Sequence, residues 1–466
     1  RVYNNVHPTG TFSGSFDVPT SYTYGVKRLR IWTGFNLIFG PPSPCNSTYG
    51  EFEDYKVVLA RDTGTDISAT RIISPQPFLF QTGQNSMTVE YANLADEEID
   101  TMEIGYEVVN MSNNQVVQSL QDTIYGLNLQ QGKLYNQTFS GQNALNIPGS
   151  GDFQLRIWGS YPNGEDPDFD PSNDTITRTI CTALDGLYTI DPNGSGTRNF
   201  TSFQAAINRL KQCGVGGPVT FEVAAGTYNT RVEIPNFRGT SDQNTVTFDG
   251  VNPNNTTLTY GNTTYDSAFT LLLNTTQHIV IENMNIETTG SGQGIPVMIN
   301  DDPGSINIVT NDITIKNCII EVAGPGAKSQ AEDFKCIDIS GDLDPDKDYR
   351  YYDINEAEFS NIVIDSNTLI GGAYGVLAVD ESSDVVISNN TIQSSYDAGI
   401  AISDGDGFKF KGNDIKLRNN QGLGYGIVGR NSNADNQRFN VISANKITNA
   451  HNIGINLVAA SNFGTK

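Results

Sequence analysis

From about residue 278 onward, apolar and polar positions alternate in short runs, and the runs arrive in sets of three. The clearest sets are NIVIDSNTLIGGAYGVLAV, from Asn361 to Val379, and DVVISNNTIQSSYDAGIAI, from Asp384 to Ile402. Each reads as a strand, an Asn, a second strand, then Gly and a third strand. Ile364, Ile387 and Phe410 hold the same place in successive sets, 23 residues apart. The template extends upstream to HIVIENMNIE and DITIKNCIIE and downstream to GFKFKGNDIK and RFNVISANKI. In every copy a six-residue window begins and ends on an apolar side chain: Ile281/Ile286, Ile315/Ile320, Ile364/Leu369, Ile387/Ile392, Phe410/Ile415 and Ile442/Ile447. Its fourth position is Met284, Cys318, Asn367, Asn390, Asn413 and Asn445. A fixed period of this size with strand content predicts a solenoid, whereas a β-sandwich does not repeat at a short constant spacing.

Alternating strands joined by small or left-handed-tolerant residues make a coil with flat faces and sharp corners. One coil cannot bury its own apolar face; stacked coils bury a continuous column. An Asn recurring at a corner is expected to sit in the left-handed region and bond the same Asn of the next coil, giving a ladder of Asn367, Asn390, Asn413 and Asn445. The windows and the Asn column resemble the right-handed parallel β-helix of pectin-lyase-like proteins. The resemblance spans roughly residues 185–466 and implies a fold more than a chemistry.

Before the solenoid the pattern changes twice. Over residues 1–66 short strands occur (TFSGSFDV, VKRLRIW, EDYKVVLA), and Tyr49–Tyr55 resembles the motif of GEVED domains of secreted Bacteroidetes-type proteins. Arg28 and Arg30 match that family's arginine-bearing strand, Cys45 its preceding Cys, and Phe52 replaces the central Val. Glu51, Glu53 and Asp54 are expected to pair with Arg28 or Arg30 across neighbouring strands. Over residues 67–184, SMTVEYAN, MEIGYEVVN and DFQLRIWGS alternate along longer strands, which predicts a β-sandwich. That stretch resembles CARDB-like domains, immunoglobulin-type adhesion modules of bacterial surface proteins. Residues 202–212 carry Phe203, Ile207 and Leu210 on one helical face after a Thr/Ser start signal, a helix suited to plug the open end of the column. The fold class is therefore all-β: N-terminal sandwich modules, then a parallel β-helix with an N-terminal capping helix.

Composition narrows the function. The formal net charge of −24, with pI near 4.4, opposes nucleic acid and anionic membranes as partners. No apolar run approaches membrane-spanning length. The chain starts on Arg1 and ends inside a coil-like stretch, so both ends read as cuts from something longer. Five cysteines are too few and scattered for a disulfide framework, and Cys318 and Cys336 fall on strands as buried thiols.

Candidate chemistry is acidic. Turns after the third strands carry Asp301-Asp302, Asp342, Asp380-Glu381 and Asp404/Asp406, with Arg430 the one basic group on that row. Stacking aligns them into a stripe that is either a row of solvated turns, a surface for glycans or cations, or a catalytic cleft. Asp301-Asp302 stand where a polygalacturonase-like acid pair would, but the rest of that pattern is missing, and the sole Arg-x-Lys, Arg209-Leu210-Lys211, lies on the capping helix. His7, His278 and His451 have no second ligand-type residue at metal spacing along the chain. In NGEDPDFDPSNDTI, Asp166, Asp168, Asp170 and Asp174 alternate like Ca²⁺ ligands, but Pro171 and Thr177 replace the Gly and Glu an EF-hand needs, leaving a looser Ca²⁺ site or a solvated hairpin tip.

The combined reading is a secreted surface adhesin that binds extracellular glycans. The resemblance also implies export by the type IX machinery, with a sorting domain beyond Lys466, and O-glycosylation at Asp-Ser/Thr-apolar triplets: Thr101, Thr123, Thr175 and Ser267. The alternatives are a polysaccharide lyase or hydrolase working through the acidic corner, and a structural spacer.

Overall fold

The structure is a computed structural model that describes residues 18, 23–33, 51–75, 79–149, 151–165, 168–261, 268–290, 294–301, 309–323, 334–341, 358–379, 381–403, 405–418, 424–430, 439–458 and 463–464. The chain divides into two compact units, residues 1–181 and 182–466.

In the first unit Gly25–Thr33 and Glu51–Leu59 form an antiparallel pair. The strands Ile67–Ser74, Met87–Asn93 and Leu134–Phe139 make one antiparallel sheet. A second contains Ile99–Asn110, Gln115–Leu129, Asp152–Ser160 and Thr175–Cys181. Residues of both sheets, among them Met87, Val89, Tyr91, Ile104, Tyr106 and Leu155, meet in one buried core. The alternation visible in SMTVEYAN and MEIGYEVVN is this inward face, as expected for sheets packed face to face. Tyr106 is buried but keeps its hydroxyl satisfied by donating to the Ala144 carbonyl at 2.9 Å.

The second unit is the solenoid. One coil runs Gln277–Glu282, Asn285–Thr288 and Ile295–Asn300, and each strand pairs in parallel with its counterpart in the coils before and after. Repetition gives three parallel sheets, the second and third each of eight described strands. Three inward rows fill the interior: Phe248–Ile281–Ile315–Ile364–Ile387–Phe410, Leu258–Ile286–Ile320–Leu369–Ile392–Ile415 and Leu271–Val297–Ile337–Val376–Ile400–Ile427. All are essentially inaccessible. At about 25 cal/mol per Å² of apolar surface removed from water, such rows dominate the stability of the stack.

The helix Phe203–Cys213 caps the start. Ser202 accepts a hydrogen bond from the Ala205 amide at 3.2 Å, the N-cap the sequence signalled. Phe203, Ala206, Ile207 and Leu210 are buried. Phe203 meets Tyr228 edge-on at 5.4 Å and stacks on Phe248 at 6.0 Å, closing the apolar column at that end.

Candidate functional site

The corner between the first and second sheets is built from two adjacent residues per coil. Asn283, Asn317, Ser366, Asn389, Gly412 and Ala444 have φ between 53° and 71° and make the bend. The residue after each, from Met284 and Cys318 to Asn367, Asn390, Asn413 and Asn445, stacks inside. The expectation that the ladder Asn itself takes the left-handed conformation is thus corrected. The turn is made one residue earlier, which swings the next side chain inward. The ladder is continuous. Asn390 Oδ1 accepts from the Asn367 amide at 2.9 Å and from Asn367 Nδ2 at 3.1 Å, while Asn390 Nδ2 donates to Asn413 Oδ1 at 3.0 Å and to the Ile364 carbonyl at 2.9 Å. Asn413 repeats this with Asn445, and the Cys318 amide ties the apolar half of the column to Asn367 Oδ1 at 2.9 Å.

At the corner after the third sheet, Asp301 is 4% exposed. Its Oδ1 accepts from the Thr310 amide at 3.0 Å and hydroxyl at 3.1 Å, and its Oδ2 from the Glu358 amide at 3.4 Å. Next to it, Asn300 Nδ2 donates to Asn274 Oδ1 at 2.9 Å, continuing an amide pair across coils. Arg430 is half-buried at the end of Tyr425–Arg430, in register with Ser403, and Asp406 is half-buried in register with Ser383. Asp302, Asp342, Asp380 and Asp404 lie outside the described residues, as does the side chain of Glu381.

Stacking also joins residues that the linear pattern left apart. Glu287 and Glu321 face each other in register on neighbouring strands of the second sheet. Burial, reinforced by Glu287, raises the Glu321 carboxyl above its usual range. Lys335 and Asp338 on the third sheet are wholly buried and joined at 2.7 Å. Both faces of that strand are buried, so the alternation of KCIDI gives no signal of the pair. His278, which has no nearby ligand along the chain, stands between Asp242 and Asp312, each brought to it from an adjoining coil.

In the first unit, Arg30 grips Asp54 with two hydrogen bonds of 2.7 and 2.9 Å, and Arg28 lies 3.7 Å away. The Arg30 bonds hold the Asp54 carboxyl below the usual carboxylate range. This is the cross-strand pairing expected of the motif, with Asp54 the acid involved. Glu53 instead accepts from the Tyr55 hydroxyl. In the acidic loop, Asp168 is buried and its Oδ2 accepts from the Ile67 amide at 2.8 Å, while Asp170 Oδ1 accepts from the Ser172 hydroxyl at 2.5 Å. Asp174 is half-buried, and Asp166 lies outside the described residues. Among the described residues, Asp168, Asp170 and Asp174 are not gathered within one ion's reach. The loop closes over Asp66, which is fully buried, and burial pushes its carboxyl up to about 6. Thr101 and Thr123 are half-buried within strands, Thr175 is exposed at the start of one, and Ser267 is outside the described residues. Cys318 and Cys336 are buried thiols, pushed by burial up to about 12, whereas Cys181 and Cys213 are both disulfide-bonded. Among the described residues no helix is long and apolar enough to cross a membrane.

Fold and corner geometry together define a parallel β-helix accompanied by antiparallel β modules. Residues 346–465 match the family model described as the right handed beta helix region, and residues 1–58 that of the GEVED domain. No curated protein matches the sequence. Among solved structures, the CARDB domain of a Pyrococcus furiosus protein in complex with di-metal ions is similar at 10% identity, TM-score 0.19, over 26% of this chain and 92% of that one. A calcium-binding mutant of Bacteroides uniformis β-glucuronidase 2 is similar at 10% identity, TM-score 0.18, over 42% of this chain and 29% of that one. A putative β-galactosidase from Bacteroides fragilis is similar at 10% identity, TM-score 0.20, over 61% and 48% respectively. The chain thus spans less than half of either glycosidase, and likenesses this low carry no argument about its chemistry.

Proposed function

We propose that this chain is part of a secreted bacterial surface protein that adheres to extracellular glycans through the β-helix and does not turn them over. The observation that carries the absence of turnover is Asp301. Its carboxylate accepts bonds from Thr310 and Glu358 and is withdrawn from solvent, so it staples the corner instead of facing a substrate. A general acid needs reach to the reacting oxygen, which this geometry denies it. The binding half of the reading rests on regular side-chain rows. Asp249, Glu282, Lys316, Asp365 and Ser388 follow one another in register along the outer face of the first sheet. Neighbouring strands lie about 4.8 Å apart, so the row is a rigid, polar, repeating surface. Type IX export and an outer-surface location belong to this reading, as does O-glycosylation at Thr101, Thr123, Thr175 and Ser267.

One observation favours a hydrolase instead. Glu287 and Glu321 are carboxylates in register on paired strands, burial and Glu287 raise the Glu321 carboxyl above its usual range, and glycosidases work through a pair of carboxylates. The deciding experiment is a panel of acidic and neutral polysaccharides, assayed for retention of the protein and for new reducing ends or unsaturated product. Retention without product is expected. Product that disappears in Glu321→Gln would replace adhesion with hydrolysis, and neither retention nor product on any glycan would leave a structural spacer.

A further inference from the structure

Five successive solenoid repeats start with a residue of positive φ: His278 (58°), Asp312 (53°), Asn361 (54°), Asp384 (54°) and Gly407 (71°). They follow one another in register from coil to coil, because their neighbours Gln277, Asn311, Ser360, Ser383 and Asp406 pair in that order. Left-handed backbone is uncommon outside Gly, and Asn, Asp and His are the residues that best tolerate it. The column is therefore a second polar file along the solenoid, separate from the Asn ladder. At its start the chemistry changes from amides to metal-binding groups. His278 Nδ1 lies 3.3 Å from Asp312 Oδ2 and 3.5 Å from Asp242 Oδ1. The three ligand atoms all lie within 4.8 Å of one another.

Those separations have a chemical meaning. A charge-assisted N–H···O⁻ bond settles at about 2.7–2.9 Å, shorter than either contact. The edge of a tetrahedron of N and O ligands about 2.05 Å from a central Zn²⁺ is about 3.3 Å. Nδ1 is thus spaced from both carboxylates as ligands sharing one ion are spaced. The scaffold is held independently of any ion. His278 and Asp312 sit on paired strands, and the turn bearing Asp242 is closed by the Asn244 amide donating to the Ser241 carbonyl at 2.9 Å and by Asn244 Nδ2 donating to the Gly239 carbonyl at 3.2 Å. The His278 side chain is 13% exposed and that of Asp242 90%, so the site is shielded on the solenoid side and open on the other.

We propose that Asp242, His278 and Asp312 form a three-ligand site for a divalent transition-metal ion of the Zn²⁺ or Co²⁺ type. One imidazole and two carboxylates suit such borderline ions; Ca²⁺ and Mg²⁺ prefer all-oxygen shells. Three protein ligands leave a fourth position open to water or to an oxygen of a bound molecule. The ion would also tie together three successive levels of the solenoid at one edge.

The test uses the full chain titrated with Co²⁺, whose visible d–d absorption reports coordination directly, followed by competition with Zn²⁺ and Ca²⁺. The expected result is saturable binding of one Co²⁺ that Zn²⁺ displaces and equimolar Ca²⁺ does not, with a rise in melting temperature. His278→Asn, which keeps the left-handed backbone accessible, and Asp312→Asn should abolish the band. Asp242→Asn, at an exposed turn where folding is not at stake, should weaken binding at least tenfold. Absence of a band in the wild-type chain, or a band of the same intensity and affinity in Asp242→Asn and His278→Asn, would overturn the site.

Discussion

Replacing Asn390 by Leu is the sharpest probe of the solenoid, because the cost can be counted bond by bond. The change removes the Oδ1 that accepts from the Asn367 amide and Nδ2, and the Nδ2 that donates to Ile364 and Asn413. Asn367 Nδ2 keeps the Ile315 carbonyl at 2.9 Å, and Asn413 Oδ1 keeps the backbone amide of residue 390 at 3.0 Å. What is stranded is the Asn367 amide, buried with its residue 1% exposed, together with one bond each at Ile364 and Asn413. An orphaned buried donor costs about 1–3 kcal/mol and each lost bond about 0.5–1.5 kcal/mol. Burying a Leu side chain in place of an amide offsets about 1 kcal/mol of this, which leaves a net loss of about 1–5 kcal/mol. For a folding unit as large as residues 182–466 that corresponds to a fall in melting temperature of about 2–8 °C. The matched control is Asn208→Leu on the exposed face of the capping helix, whose side chain bonds only Gln204 and whose loss should stay within about 0.5 kcal/mol. Hydrogen exchange localises the effect: the Asn367 amide should lose protection in Asn390→Leu and keep it in the control. Equal melting temperatures for the two variants would refute the ladder energetics.

Two further outcomes follow from buried charges. Lys335→Met leaves Asp338 buried without its cation and should cost about 3–5 kcal/mol in a thermal melt, whereas Lys335→Met combined with Asp338→Leu should recover most of it; equal losses in both variants would show that the pair is not the source. Asp66, raised to about 6 in the fold from an ordinary value near 3.8, favours the folded state fully only while protonated, so its contribution is lost as pH climbs from about 4 through 6. Asp66→Asn should therefore melt higher than wild type at pH 8 and level with it at pH 4, and a variant destabilised equally at both would contradict the assignment.

The period in the sequence was enough to place the six coils from Gln277 onward, because inward strand positions must be apolar in each repeat and a slip of one residue would expose them all. It also located the ladder and the capping helix, whose signals are local: Asn at a fixed place, Ser202 ahead of an apolar face. Side-chain partnerships across coils were less legible. The rule that metal ligands sit three or four residues apart assumes one helix or one hairpin. In a solenoid the neighbour of His278 is Asp312, a whole coil away, and only the shared first place in HIVIENMNIE and DITIKNCIIE hinted at it. Lys335 with Asp338 was hidden for the opposite reason. Both faces of the third sheet are buried, so a strand reading KCIDI cannot be divided into inside and outside by alternation. Asp301 read as one acid of an exposed stripe because an acid after a strand is normally solvated, and nothing in the sequence announced that Thr310 and Glu358 would donate to it.

The corner itself shows how one recurring dipeptide divides its work. Ser366-Asn367, Asn389-Asn390, Gly412-Asn413 and Ala444-Asn445 look interchangeable in their two Asn-rich positions, yet the first residue bends and the second bonds. The bending position accepts Gly, Ala, Ser or Asn, so what it must supply is a positive φ and not an amide. The bonding position keeps Asn wherever the ladder runs, and at Cys318, where it does not, the backbone amide still donates to Asn367 Oδ1. A left-handed residue costs about 1–2 kcal/mol when it is not Gly. In the coils that carry Asn367, Asn390, Asn413 and Asn445 the ladder bonds offset that cost, and this coupling lets a chain with ordinary side chains at its bends hold the same corner from one of those coils to the next.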